Sequence, residues 1–521
     1  MSVITNTLTY DLIAILSSLF IGLIVYYKWK FTYWVKVGLP TLRPSFPFGD
    51  TSDMLLGRVA IGDQFQSFYR KFKMNGFKHG GIYLGLQQFY IPVDPEIIKH
   101  IMQIDFSHFM NHNINVVDEE NDPLNGHLFN LEDEKWRHMR IKLTPTFTSG
   151  KMKMMFQTLA DCTVGLKDVM DESAETRSAV DIKDILARFT TDIIGSVAFG
   201  LECNTLKEPD ADFRKYGKKI FQFTFSDRIK ILKQLLLPQW VLRATKLKLT
   251  KSDVEKFFMK VVRDTVDYRE KNNIFRKDFM HLLIQLKNRG TVTDDGKVTD
   301  DHGKIEEKAL TLNELSAQAF VFFIAGFETS STTMTFALYE IATNPDVQEK
   351  LRKEINSVLA NHEGKLTYAA MMEMSYMEKV LHETLRKYPP LPILTRVCTK
   401  DYTVPNTTIK IKKGDMVGIS TQALHNDPEY YPDPEKFDPE RFSEENKKTR
   451  PDFTWIPFGE GPRLCIGLRF GMLQSKVGLT ALLKNYKIKL SNKTHQPLQM
   501  DKQAFISSVE GGVWLDVEKL K

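Results

Sequence analysis

Cysteine is scarce in this chain. Cys162, Cys203, Cys398 and Cys465 are the only 4 among 521 residues, and no two form a C-x-x-C pair. That usage argues against a secreted disulfide scaffold and fits a reducing compartment. No charge of one sign dominates: 71 Lys and Arg against 65 Asp and Glu leave +6, too little for its size to imply nucleic acid. No fixed-period repeat appears. No G-x-G-x-x-G opens a strand-to-helix turn, so no nucleotide site of the chain's own is evident. Past the first thirty residues no apolar run is long enough to cross a bilayer.

The one long apolar segment is Leu12 to Tyr27, LIAILSSLFIGLIVYY, free of formal charge. As a helix it is roughly 24 Å long, and Leu8, Tyr10 and Trp29 can extend it. No basic start or small-residue cleavage site marks it as a signal peptide, so residues 1–30 read as an uncleaved anchor. Lys28, Lys30 and Lys36 follow the segment, which puts the bulk of the protein on the cytosolic side. Residues 31–50 carry Pro40, Pro44 and Pro47 and read as a stiff hinge. Residues 51–521 read as one large domain, mainly α with a minor β portion. Helical patterns run over Trp136–Leu143, Met152–Glu172, Ile182–Phe199, Val254–Lys287, Leu312–Asn344 and Gln348–Leu359. Strand-like pieces are short, as at Gly81–Leu86 and Ile409–Ile411, and the polar stretch from Lys287 to Lys308 reads as an exposed loop.

The decisive feature is FGEGPRLCIG, Phe458 to Gly467. It offers a single thiol, Cys465, in a glycine-punctuated loop just before a helical pattern. With no second cysteine or histidine nearby it is a poor zinc ligand set. It suits a haem iron, which needs one axial ligand from the protein. Thiolate formation would be aided by backbone N–H groups at the start of the next helix. Gly461 permits a positive-φ turn, Gly467 allows close approach to a flat macrocycle, and Phe458 would shield the sulfur from water.

The spacing F-x-x-G-x-R-x-C-x-G resembles the haem-binding signature of the cytochrome P450 superfamily. Other motifs follow in the family's order: W-x-x-x-R at Trp136 and Arg140, A-G-x-E-T from Ala325 to Thr329, E-x-x-R at Glu383 and Arg386, and P-E-R-F with Arg441. With the anchor and the proline stretch, the resemblance covers essentially the whole chain. It looks most like the microsomal branch, and within it the insect detoxification enzymes.

What the resemblance implies is a single helical domain of that type binding haem b. Cys465 would be the metal ligand. Arg463, Arg396, Trp136 and Arg140 would hold the propionates, and Phe458, Gly467 and Ala325 would border the macrocycle. Gly326 would open a groove over the iron. Thr329 and Glu328 would be the catalytic pair guiding protons. Glu383, Arg386 and Arg441 would form a buried structural ion network. Electrons would come from NADPH through a separate partner, NADPH-cytochrome P450 reductase, with cytochrome b5 as an optional donor. The basic run Lys135, Arg137, Arg140, Lys142, Lys151 and Lys153 would dock that acidic reductase. The site of action would be the cytosolic face of the endoplasmic reticulum membrane, and the reaction the monooxygenation of apolar small molecules, xenobiotic or endogenous. The alternatives are a reductase-independent haem-thiolate isomerase or dehydratase and a silent haem-binding protein; the Glu328–Thr329 pair weighs against both.

The expected substrate lining is the loop Phe109 to Leu128, Phe320, Phe323 and Ala325, Leu391 to Leu394, and Phe505 to Ser508. Phe223 to Trp240, rich in Phe, Leu and Lys, would dip into the membrane surface. One departure stands out. The family often places an arginine in the loop before the W-x-x-x-R helix to hold a propionate, whereas Ile101 to Glu134 contains neither Lys nor Arg. His112, His127 or water is expected there instead.

Overall fold

The computed structural model describes residues 2–520 apart from 113–117, 223, 225, 228, 231–232, 234–240, 242–247 and 293–308, and only the backbone of residues 2–7. The fold is mainly α with small sheets. At its centre runs a helix from Leu312 to Thr343, started by a capping box. Thr311 Oγ1 accepts from the Glu314 N–H at 3.2 Å, and the Glu314 carboxylate accepts from the Thr311 N–H at 2.7 Å. Its stretch Ala317–Phe327 is apolar nearly all round, and the helix packs against the Ile182–Ile194, Ser375–Lys387 and Leu468–Asn485 helices.

Most of the expected helices are present: Asp133–Leu143, Ser149–Thr176, Ile182–Ile194 with a wider turn at Gly195–Phe199, and Pro345–Ala360. The stretch Val254–Lys287 is instead two helices, Ser252–Lys271 and Phe279–Arg289. Asn273 breaks the run at φ 52°, a conformation asparagine tolerates. Asp278 then caps the second helix, accepting from the His281 N–H at 2.9 Å while pairing with buried Arg269.

A four-stranded mixed sheet runs His79–Leu84, Gln87–Pro92, Met416–Ser420, Ile393–Val397, with only the middle pair parallel. Its register sets Arg396 opposite Val417. The expected strand at Gly81–Leu86 thus begins and ends two residues earlier, and Lys410–Ile411 belongs to a small hairpin. A three-stranded sheet joins Val180–Asp181, Trp514–Lys519 and Tyr486–Leu490.

The amino-terminal helix is continuous over Ser2–Lys30, reaches a mean hydropathy of 2.1, and is exposed from Leu8 onward along most of its length. It is not loosely tethered. Tyr27 packs on Phe46 with centroids 4.8 Å apart. Trp34, in the short helix Tyr33–Val37, is fully buried with its indole N–H on the Ile82 carbonyl at 3.0 Å.

Candidate active site

The cysteine loop is held from both ends. His425, fully buried, accepts the Ile456 N–H on Nε2 at 2.8 Å. Burial pushes its pKa down to about 3, so the ring stays a neutral acceptor. Gly461 sits at φ 69°, and a Cβ there would lie 1.9 Å from the Met102 carbonyl oxygen, so glycine is required twice over. The Cys465 N–H closes the loop on the Phe458 carbonyl at 2.9 Å, and the helix Leu468–Asn485 begins three residues on. Burial raises the Cys465 pKa; the Gly467 N–H and the Arg140 charge work the other way. Although deep in the fold, the cysteine side chain is exposed, because it faces a cavity of about 300 Å³.

Every expected site residue except Glu328 borders that cavity: Cys465, Arg463, Phe458, Gly467, Trp136, Arg140, Arg396, Ala325 and Thr329. Thr329 donates its hydroxyl to the Ala325 carbonyl at 2.6 Å. Glu328 is turned elsewhere. Its carboxylate pairs at 2.8 Å with Lys183, which also reaches the hydroxyls of Ser331 and Thr332. Lys183 carried no signal in the sequence. Gly326 borders the cavity as well, but its missing side chain serves helix packing: a Cβ there would meet Ile194 Cδ1 at 2.4 Å.

One part of the wall is cationic and unbalanced. Arg140, Arg396 and Arg463 border the cavity, and among the described residues none of the three makes an ion pair. Burial, then Arg396 and Arg140, push the Arg463 pKa down to about 8, and burial alone takes Arg396 to about 10. Guanidinium groups stay charged, so these shifts register uncompensated positive charge. Arg463 spends donors on the carbonyls of Met110, Leu128 and Leu131 and lies 4.1 Å over the Trp136 ring. Among the described residues, buried Arg396 has no partner for Nε.

Another part is aromatic. Phe147, Phe279 and Phe322 border the cavity and pack mutually, with centroids 4.3 to 5.6 Å apart. This corrects the expected lining. Phe323 is fully buried among Phe199, Phe213 and Phe258, Phe320 packs on Phe258, and Val321 and Phe322 face the cavity instead. Leu128, Leu391 and Leu394 border it as expected. Phe505 to Ser508 does not: Phe505 is exposed, and Ser507 and Ser508 line a smaller hollow beside Lys183. Most of Phe223 to Trp240 lies outside the described residues. Glu383 and Arg386 form a fully buried two-pronged pair at 2.7 and 2.9 Å, with Arg441 at 3.5 Å.

The sequence profile described as cytochrome P450 matches residues 53–514. "Probable cytochrome P450 6a14" of Drosophila melanogaster is 44% identical over 496 residues, 94% of this chain and 96% of the relative. "Cytochrome P450 6k1" of Blattella germanica is 40% identical over 525 residues, 100% and 99% respectively. "Cytochrome P450 6A1" of Musca domestica is 41% identical over 498 residues, 95% of each. The chain belongs to the cytochrome P450 family. Its relatives place it among the insect family-6 enzymes, and the family's activity is monooxygenation.

Cytochrome P450 membership implies a haem held by a thiolate, and the residues present fit such a group. The single cysteine opens into the cavity. A Cβ on Gly467 would meet no protein atom within 4 Å, leaving room for a flat ring. Aromatic walls suit its apolar body. Three arginines without an ion-pair partner among the described residues suit its two carboxylates.

Proposed function

We propose that the chain is a membrane-anchored haem-thiolate monooxygenase acting on apolar small molecules, xenobiotic or endogenous. The single observation that carries this reading is Cys465, open to a cavity whose other walls bear Thr329 and three arginines without carboxylate partners among the described residues. When bound, the haem supplies activation of dioxygen, one atom going to substrate and the other to water.

The chain's own residues bind, orient and handle protons. Arg140, Arg396, Arg463 and Trp136 hold the carboxylate edge. Phe458 and Phe470 keep water from the sulfur, and Phe147 and Phe322 pack the ring's apolar edge. Thr329 holds a proton at Oγ1 on the cavity wall. Glu328 belongs instead to the polar cluster of Lys183, Ser331 and Thr332, turned away from the cavity. Val321, Ala325, Leu391 and Leu394 favour an apolar substrate. The basic run from Lys135 to Lys153 docks the acidic NADPH-dependent reductase, and the amino-terminal helix holds the protein on the cytosolic face of the endoplasmic reticulum.

The test is a carbon monoxide difference spectrum of the reduced protein, wild type beside Cys465→Ala. The wild type is expected to give the band of a thiolate-ligated haem and the variant to lose it. A colourless wild type, or a variant with an unaltered band, would sink the assignment.

A further inference from the structure

Arg396 carries a buried charge, and the nearest side chain sharing its stretch of cavity wall is a histidine. His112 is 9% exposed, borders the cavity and is fixed by its surroundings. The preceding residue, Asn111, accepts the Val397 N–H at 2.8 Å on its backbone carbonyl and so bridges to the strand that bears Arg396. The Asn111 side chain exchanges two 2.9 Å hydrogen bonds with Asp133, at the start of the helix bearing Trp136 and Arg140. The ring itself stacks on Phe129, centroids 4.5 Å apart and planes 16° from parallel. Position and plane are therefore both set before any ligand arrives.

Nδ1 is satisfied whichever nitrogen carries the ring's hydrogen. Arg396 Nη1 points an N–H at His112 Nδ1, 3.2 Å away, and gives another to the Thr395 carbonyl at 2.8 Å; that carbonyl lies 3.0 Å from Nδ1. A guanidinium only donates and a carbonyl only accepts, so Nδ1 is served in either tautomer; a carboxylate at Nε2 selects the form with the hydrogen there, and Nδ1 then accepts from Arg396. Burial, then Arg396 and Arg463, hold the ring neutral. Among the described residues Nε2 has no partner. His127 offers no such arrangement: it does not border the cavity, and its Nε2 faces the Asn130 amide at 3.2 Å.

We propose that His112 binds a carboxylate of the porphyrin through its Nε2–H, with Arg396 supplying the charge and orienting the ring. The inference rests on the haem reading above. It makes one of the porphyrin's side-chain contacts a neutral hydrogen bond, backed by a cation one residue behind it.

The measurement is the rate at which purified, pigmented protein loses haem to excess apomyoglobin, followed in the visible spectrum. Resonance Raman bands of the carboxylate side chains are read alongside. His112→Phe keeps the stack on Phe129 and removes the donor, so haem loss should accelerate about tenfold and a carboxylate band should shift. His112→Arg, which restores a donor, should return the rate to within about twofold of wild type. Should His112→Phe fold poorly, His112→Gln, which keeps an N–H donor without the ring, should retain haem better than His112→Ala. Wild-type rates and unshifted bands in His112→Phe, or equal loss from the Gln and Ala variants, would overturn the proposal. A wild-type protein without pigment would instead overturn the haem reading, and this inference with it.

Discussion

Glu328 and Thr329 are adjacent in sequence yet occupy different environments. Thr329 borders the cavity, while the Glu328 carboxylate is tied to Lys183 with 16% and 19% of the two side chains exposed. A pair this sheltered resists loss of one partner more than loss of both. Lys183→Met should therefore cost about 2 kcal/mol, and adding Glu328→Gln should recover most of it, a coupling of about 1–3 kcal/mol in a double-mutant cycle. Denaturant midpoints of the four proteins measure this; additive losses would show that the ion pair contributes nothing. The chemistry-bearing residues were legible because their spacing is local. Cys465 and its glycines, Trp136 with Arg140, and Glu383 with Arg386 each sit on one loop or one helix face. Lys183 was not legible, since it reaches Glu328 only through the packing of two helices distant in sequence. The choice of His112 over His127 was likewise invisible, because it depends on the bridge from Asn111 to Val397.

Helices set the shape of the cavity, and the central one shows why its face was misread. Ala317 to Phe327 is apolar nearly all round, so periodicity offers no marker of which phenylalanine faces inward. Phe322 does and Phe323 does not, a difference of one residue and about 100° around the axis. Val254–Lys287 read as one helix for a related reason: it contains no Gly or Pro, and the break comes from Asn273 and the buried Arg269–Asp278 pair. Gly326 stood out as a helix-interior glycine, but its partner could not be read. Gly326→Ala would gain about 1 kcal/mol of helix preference. It would also press a methyl against Ile194 Cδ1 and Cγ1, at 2.4 and 2.9 Å. Overpacking of this kind costs about 1–3 kcal/mol, so the single variant should be less stable. Ile194→Val removes Cδ1, the nearer of the two atoms, and the double variant should recover part of the lost stability. If Ile194→Val gives no relief in urea unfolding, the close helix approach is not what requires glycine.

At the scale of the whole molecule, the joint between the apolar helix and the globule decides where the folded domain starts. Composition marks residues 31–50 as a stiff connector, but prolines say nothing about what the intervening side chains bury. Trp34 is fully enclosed; a Cβ on Gly81 would come within 2.4 Å of its ring, so strand and indole are matched to one another. Its backbone N–H donates to the Tyr83 hydroxyl at 3.1 Å, and neighbouring Tyr33 donates its hydroxyl to Asp415 at 2.6 Å. These contacts pin the chain to the sheet that carries Arg396, so the connector is part of the domain that forms the cavity. Two truncations separate the possibilities. A protein starting at Phe31 keeps Trp34 and should retain pigment and full stability of the globule. One starting at Leu39 leaves the Trp34 site empty and takes the Tyr33 hydroxyl away from Asp415. Loss of a buried tryptophan alone costs about 3–5 kcal/mol, so this protein should unfold at markedly lower denaturant and hold haem poorly. Equal stability and equal pigment in the two would mean that the connector only tethers the globule, and that the catalytic fold begins beyond it.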